Sequence, residues 1–142
     1  MSYEAWGEPD DNPFEKAIEA GWIDPADQTK ALIDVMNERN RQEDAEGYSP
    51  AHDDGYVSGE LAAAALSYVM FAHFVSMCEG EGGSPEQIAD ILKKDGPPPD
   101  VWPWAAEFWK PTDRRRSLVK AGALILAEIE RLDRLAAKAE KA

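Results

Sequence analysis

Apolar positions recur at intervals of three and four residues along most of this chain, the spacing that lines one side of an α-helix. Ala31, Leu32, Val35 and Met36 follow it in a helix expected over about residues 25–43, opened by Asp24-Pro25. Leu61, Ala65, Leu66, Val69, Phe71, Ala72 and Val75 leave little polar surface. A helix running from Ser58 or Gly59 to about Met77 therefore belongs at the centre of a bundle. Leu118, Ala121, Ile125, Ile129, Leu132 and Ala136 form one stripe along a long helix, capped by Thr112 and reaching about Ala139. Shorter helices open at Asn12-Pro13, to end at Gly21, and at the capping box Ser84-Pro85-Glu86-Gln87, to end at Gly96. Gly47 to Val57 reads as a polar loop, and Pro97-Pro98-Pro99 as a stiff connector into the aromatic segment Trp102, Trp104, Phe108, Trp109. No alternation of period two is visible. The pattern predicts an all-α fold, a compact bundle of about four main helices with a Trp/Pro-rich connector. Residues 1–24 form an arm and short helix, and 25–142 a single helical domain.

Charge changes the picture most. The net charge is −13, and it is unevenly placed: −12 over residues 1–60, −4 over 61–110 and +3 over 111–142. An acidic body argues against direct nucleic-acid binding, which relies on neutralising phosphates, and against anionic membranes. Acidity serves solubility, the binding of cations such as Mg²⁺, or contact with a basic protein surface. Cys78 is the single cysteine, so neither an intrachain disulfide nor a thiolate cluster can form. The acidic start Met1-Ser2-Tyr3-Glu4 lacks the basic region of a signal peptide. The apolar run Leu61 to Val75 falls short of the roughly 20 residues of a membrane span. These features lead us to expect a cytoplasmic protein.

Three constellations carry candidate chemistry. His52-Asp53-Asp54, followed by Glu60, offers hard oxygens and an imidazole to Mg²⁺ or Mn²⁺; the same residues also suit a polar turn. An HD-type phosphohydrolase needs more histidines than His52 and His73. Glu38 and Glu43 end one helix and Glu60 begins the next, so antiparallel packing would bring these acids towards Asp53 and Asp54. Glu43-x-x-Glu46 and Glu130-x-x-Asp133 match the spacing of helical Mg²⁺ sites, a match frequent by chance in an acidic chain. Arg114, Arg115 and Arg116 open a helix where the dipole disfavours cations. They pair either with the acidic loop or with a bound phosphate. Trp102, Trp104 and Trp109 either stack a nucleobase or clamp one end of the bundle.

The segments Glu38-Arg39-x-Arg41-Gln42, Glu46-Gly47-Tyr48-Ser49-Pro50-x-His52-Asp53-Asp54, Gly59-Glu60-Leu61-Ala62, Trp102-Pro103-Trp104, Trp109-Lys110-Pro111, Asp113-Arg114-Arg115-Arg116 and the run from Leu118 to Asp133 resemble small uncharacterised proteins of bacteriophages and prophages. The layout is also similar, more distantly, to the all-α MazG-like nucleoside triphosphate pyrophosphohydrolases. That resemblance implies a Mg²⁺-dependent helical enzyme, usually dimeric, with Glu38, Glu60 and Glu128 as candidate acids. Ser117 stands where such enzymes tend to carry Asp, which implies a degraded site or one that binds a nucleotide without cleaving it. The expected function is nucleotide handling in the host bacterial cytoplasm, by a homo-oligomer formed through the long C-terminal helix. The metal set is Glu38, His52, Asp53, Asp54, Glu60 and Glu128, and the phosphate and base contacts are Arg114, Arg115, Arg116, Trp104 and Trp109. The alternative is a non-catalytic anti-defence protein. It would sequester a nucleotide signal, or occupy a basic host protein through its acidic surface.

Overall fold

The computed structural model of the chain describes residues 18–21, 24, 26–45, 49–80, 86 and 98–141. They belong to two compact units, Met1–Ile33 and Asp34–Ala142. All regular structure among the described residues is helical, as the periodicity predicts.

In the first unit, residues 18 and 19 are helical and Gly21 closes the turn. Its N–H donates to the Ile18 carbonyl at 3.0 Å, and its φ of +75° is a conformation that favours glycine. Asp24 does not open the next helix. Its Oδ1 accepts from the Ala26 N–H at 2.9 Å, an Asx turn, and Thr29 Oγ1 accepts from the Leu32 N–H at 3.2 Å as a helix cap does. Helix α1 is accordingly Lys30–Ala45, of which residues 34–45 belong to the second unit. The start of the helix expected at Asn12-Pro13 lies outside the described residues, as does all but Glu86 of the one expected at Ser84-Pro85.

In the second unit, the segment expected to be a loop contains one helical turn, α2, Pro50–Asp53. Ser49 Oγ accepts from the His52 N–H at 3.2 Å and Pro50 occupies the first turn, a start signal of the kind that opens longer helices. Helix α3 spans Glu60–Gly80, beyond the expected end at Met77. Its 21 residues, with a mean hydropathy of 1.7 over the most apolar stretch, are long and apolar enough to cross a membrane. A 3-10 turn, Ala106–Phe108, lies in the connector. Helix α4 is Arg114–Lys141. Its cap is Asp113 rather than Thr112: Asp113 Oδ1 accepts from the Arg116 N–H at 2.7 Å.

Helices α3 and α4 form the centre and run antiparallel, Arg114 meeting Glu79 at one end and Ala62 sharing a groove with Glu128 and Ile129 at the other. Small side chains make this contact close. Ala64, Ala65 and Ser67 of α3, with Ser117, Ala121 and Ala127 of α4, are all buried. Leu61, Leu124, Tyr68 and Trp109 complete the core, Tyr68 and Trp109 with ring centroids 4.8 Å apart. Within this unit, Val35 of α1 faces Gly122 of α4. A Cβ on Gly122 would come within 3.2 Å of both Val35 methyl groups, so glycine lets the two helices approach. Helix α2 packs on the C-terminal half of α4, where Arg134 donates to the Pro50 carbonyl at 3.3 Å.

The apolar stripe of α4 lies mostly outside the contact with α3. Ala121 is buried, but Leu118, Ile125, Ile129 and Leu132 are 45–49% exposed. The face of α4 against α3 is instead built from Ser117, Ala121, Leu124 and Ala127.

Candidate functional site

The acids expected to gather round a cation each meet a different partner. Glu38, buried on α1, accepts from the guanidinium groups of Arg41 and Arg116, Arg116 Nη2 lying 3.0 Å from Oε2. Asp53, fully buried, accepts from Arg39 Nη2 at 3.1 Å. Arg39 also pairs with Glu43 at 3.2 Å and Glu130 at 3.4 Å. Asp54 accepts from Arg134 at 2.8 and 3.0 Å. The Arg134 guanidinium, with Lys138 behind it, holds the Asp54 carboxyl below the usual carboxylate range, against a smaller opposing effect of burial. Glu60 Oε1 accepts from the Ser58 N–H at 2.9 Å. One oxygen of Glu128 accepts from Arg131, while the other is buried without a hydrogen-bond partner among the described residues. Of the six, His52 and Asp53 touch, His52 Nδ1 lying 3.4 Å from Asp53 Oδ1, and Glu128, Asp54 and Glu60 lie near enough to Arg131 to raise its pKa together. Among the described residues no three of His, Cys, Asp and Glu converge. Ser117, where the resemblance looks for a carboxylate, is buried, and its Oγ has no hydrogen-bond partner among the described residues.

The three arginines lie against the protein's own anions. Arg114 meets Glu79 and donates to Ser76 Oγ at 3.2 Å, Arg115 pairs with Asp34 at 2.8 Å, and Arg116 pairs with Glu38. These partners sit on α1 and α3, not on the Gly47–Val57 segment. Their carboxylates offset the unfavourable placement of cations at a helix N-terminus.

A further concavity lies elsewhere. A cavity of about 560 Å³ opens between the connector and helices α1, α3 and α4, within the size range of small-molecule sites. Its aromatic lining is Tyr56, Tyr68, Trp102, Trp104 and Phe108. Successive rings touch: Tyr56 to Trp104 at 5.3 Å, Trp104 to Trp102 at 5.3 Å and Trp102 to Tyr68 at 5.7 Å between centroids. Trp109 does not line it; it is buried in the core beneath, against Tyr68 and Phe71.

Three cations, Arg41, Lys110 and Lys120, also line the cavity, and among the described residues no Asp or Glu does. Lys120 Nζ donates to the Lys110 carbonyl at 2.9 Å and lies 5.5 Å from the Tyr68 ring centroid, which fixes its position. His52 borders the cavity, with Tyr56 Oη 3.3 Å from its Nε2. With Nδ1–H donating to Asp53, Nε2 accepts from the Tyr56 phenol, so Asp53 orients this wall from behind. Burial, then the charges of Asp53 and Glu60, push the Tyr56 phenol up, and it stays neutral. Gln42 is 4% exposed and lines the cavity, with an Oε1 that has no hydrogen-bond partner among the described residues.

Of the expected site residues, Trp104 and His52 border this cavity; Arg114, Arg115 and Arg116 do not. Sequence reasoning missed Arg41, Gln42, Tyr56, Tyr68, Lys110 and Lys120 as site residues. The one local signal was Trp109-Lys110-Pro111, a cation set in the aromatic segment. Comparison with known proteins found no matching family model, no similar curated protein and no similar solved structure.

Proposed function

We propose that this protein binds a small anionic aromatic ligand of the nucleotide class in the cavity beside the Trp connector, and holds it without cleaving it. One observation carries the reading. In a chain of net charge −13, the cavity collects three cations, five aromatic rings and, among the described residues, no carboxylate. Rings favour a planar π-system, and fixed cations favour phosphate or carboxylate. The unpartnered Gln42 oxygen is satisfied by a ligand N–H, such as a base amino group. Binding is preferred to hydrolysis because the acids a Mg²⁺ enzyme would use are taken up by guanidinium groups or a backbone N–H. The reading rests on the cavity, and no step is routed through Mg²⁺.

The test is a calorimetric titration of the full chain with a panel of mono- and dinucleotides, nucleosides and inorganic phosphate. Nucleotides should bind more tightly than either the nucleosides or phosphate alone. Trp104→Ala should lower affinity by about 1–3 kcal/mol, the usual worth of a stacked base. Lys110→Ala should weaken nucleotides while leaving nucleosides little changed. A flat titration across the panel would sink the reading.

A further inference from the structure

Arg41 borders the aromatic cavity and also a second cleft, of about 330 Å³, in which Glu38 and Arg116 stand. Neither Glu38 nor Arg116 lines the cavity itself. Glu38 precedes Arg41 by three residues on α1, so the two share one side of the helix. Arg41 meets its carboxylate through two nitrogens, Nε at 3.3 Å and Nη2 at 3.0 Å from Oε2, with Nε bonded to Oε1 as well. Arg116 reaches the same carboxylate from α4, 78 residues away in sequence, with Nη2 bonded to both oxygens. Its own backbone N–H is held by Asp113.

The burial of the three side chains is unequal. Glu38 is 1% exposed and has no room to follow a moving partner, whereas the Arg41 side chain is 42% exposed. An arginine that open to solvent ordinarily samples many rotamers, and ordering it on a ligand costs affinity. Two-point attachment to a rigid carboxylate removes that cost in advance. Attachment to a carboxylate alone would also cancel its charge. Two guanidinium groups face this one carboxylate, so the cluster keeps an excess of positive charge. A guanidinium also has more N–H groups than a single carboxylate takes up.

We propose that Glu38 is a positioning residue for anion recognition. It fixes Arg41 at the cavity wall, and Arg116 supplies the charge that leaves Arg41 attractive to a ligand phosphate although it is paired. The inference rests on the nucleotide reading of the cavity. It gives Glu38 and Arg116, expected from the sequence to touch a metal and a phosphate, a role exerted through Arg41.

The test is calorimetric titration of the full chain with the common ribonucleoside 5′-monophosphates and, in parallel, with the corresponding nucleosides. Glu38→Gln keeps the size of the side chain and removes its charge. It should raise the nucleotide dissociation constants roughly tenfold, the worth of one charge-assisted hydrogen bond to phosphate, and change those of the nucleosides much less. Arg41→Lys keeps the cation and removes the two-point contact. It should weaken nucleotides by a similar factor, and it reads the proposal on an exposed side chain should Glu38→Gln lose its helical circular dichroism. Unchanged nucleotide affinity in either folded variant would overturn the proposal and leave the cavity reading standing. Equal loss for nucleotides and nucleosides would overturn it too, since Glu38 would then only shape the wall. A wild-type chain that binds neither series overturns both.

Discussion

Asp53 bears the largest individual consequence. Its carboxylate is fully buried and paired with Arg39, which is itself 5% exposed. Removing Asp53 leaves the buried Arg39 with Glu43 and Glu130, a partial loss on the order of 1–3 kcal/mol. Asp53→Ala should therefore lower the unfolding free energy by that amount in urea melts, while Asp53→Asn, which keeps an acceptor for Arg39, should cost less. Asp54, next to it, is partly exposed, and its effect is one of pH. A carboxyl whose folded pKa is depressed contributes stability that is fully present above its unfolded pKa and is lost as pH falls through the folded one. Stability should thus decline as pH drops through and below the ordinary carboxylate range, about pH 4. Asp54→Asn should flatten that decline, read as a smaller change in melting temperature between neutral and acid buffer.

At the scale of elements, local signals located α1, α3 and α4 and misjudged some of their ends, while α2 was read as loop. Thr112 and Asp113 are both good caps, and chemistry alone does not choose between them. The structure chooses Asp113, through its bond to the Arg116 N–H. Asp113→Ala should cost about 0.5–2 kcal/mol in thermal or urea unfolding, and Thr112→Ala should cost much less. The reverse order would mean that α4 begins one residue earlier. The start of α1 lies at Lys30 rather than Pro25, with Thr29 as its cap and Asp24 in an Asx turn to the Ala26 N–H. Periodicity identified an apolar stripe on α4 without saying what it faces. Small residues allow the close approach to α3, so the larger ones turn outward.

For the molecule as a whole, the uneven charge acquires a structural meaning. The cations of residues 111–142 are largely drawn onto acids from the earlier part of the chain: Arg115 and Arg116 onto Asp34 and Glu38, Arg134 onto Asp54. These pairs hold α1, α2 and α4 together within the second unit. Arg41 contributes to one such pair and also borders the cavity, where Lys110 and Lys120 stand. A positive recess thereby forms within an acidic protein, a favourable setting for a small anion. The aromatic connector has two roles in this arrangement: Trp109 closes the core, and Trp102 and Trp104 wall the recess.

The sequence by itself determined the helical class, the order of the helices and the aromatic connector, because helix periodicity and capping act over three or four residues. The start signal Ser49-Pro50 was equally local, and it was masked only by the polar residues around it. Tertiary structure decided which carboxylate each arginine meets. Arg39 and Asp53 are 14 residues apart, Arg116 and Glu38 are 78 apart, and Arg134 and Asp54 are 80 apart. A long flexible cation accepts any acid that packing brings within reach, so an acidic tetrapeptide reads alike whether it will hold a metal or an arginine. The cavity was beyond the sequence for the same reason: Gln42, Tyr56, Tyr68, Trp104 and Lys120 come from separate segments and share no spacing.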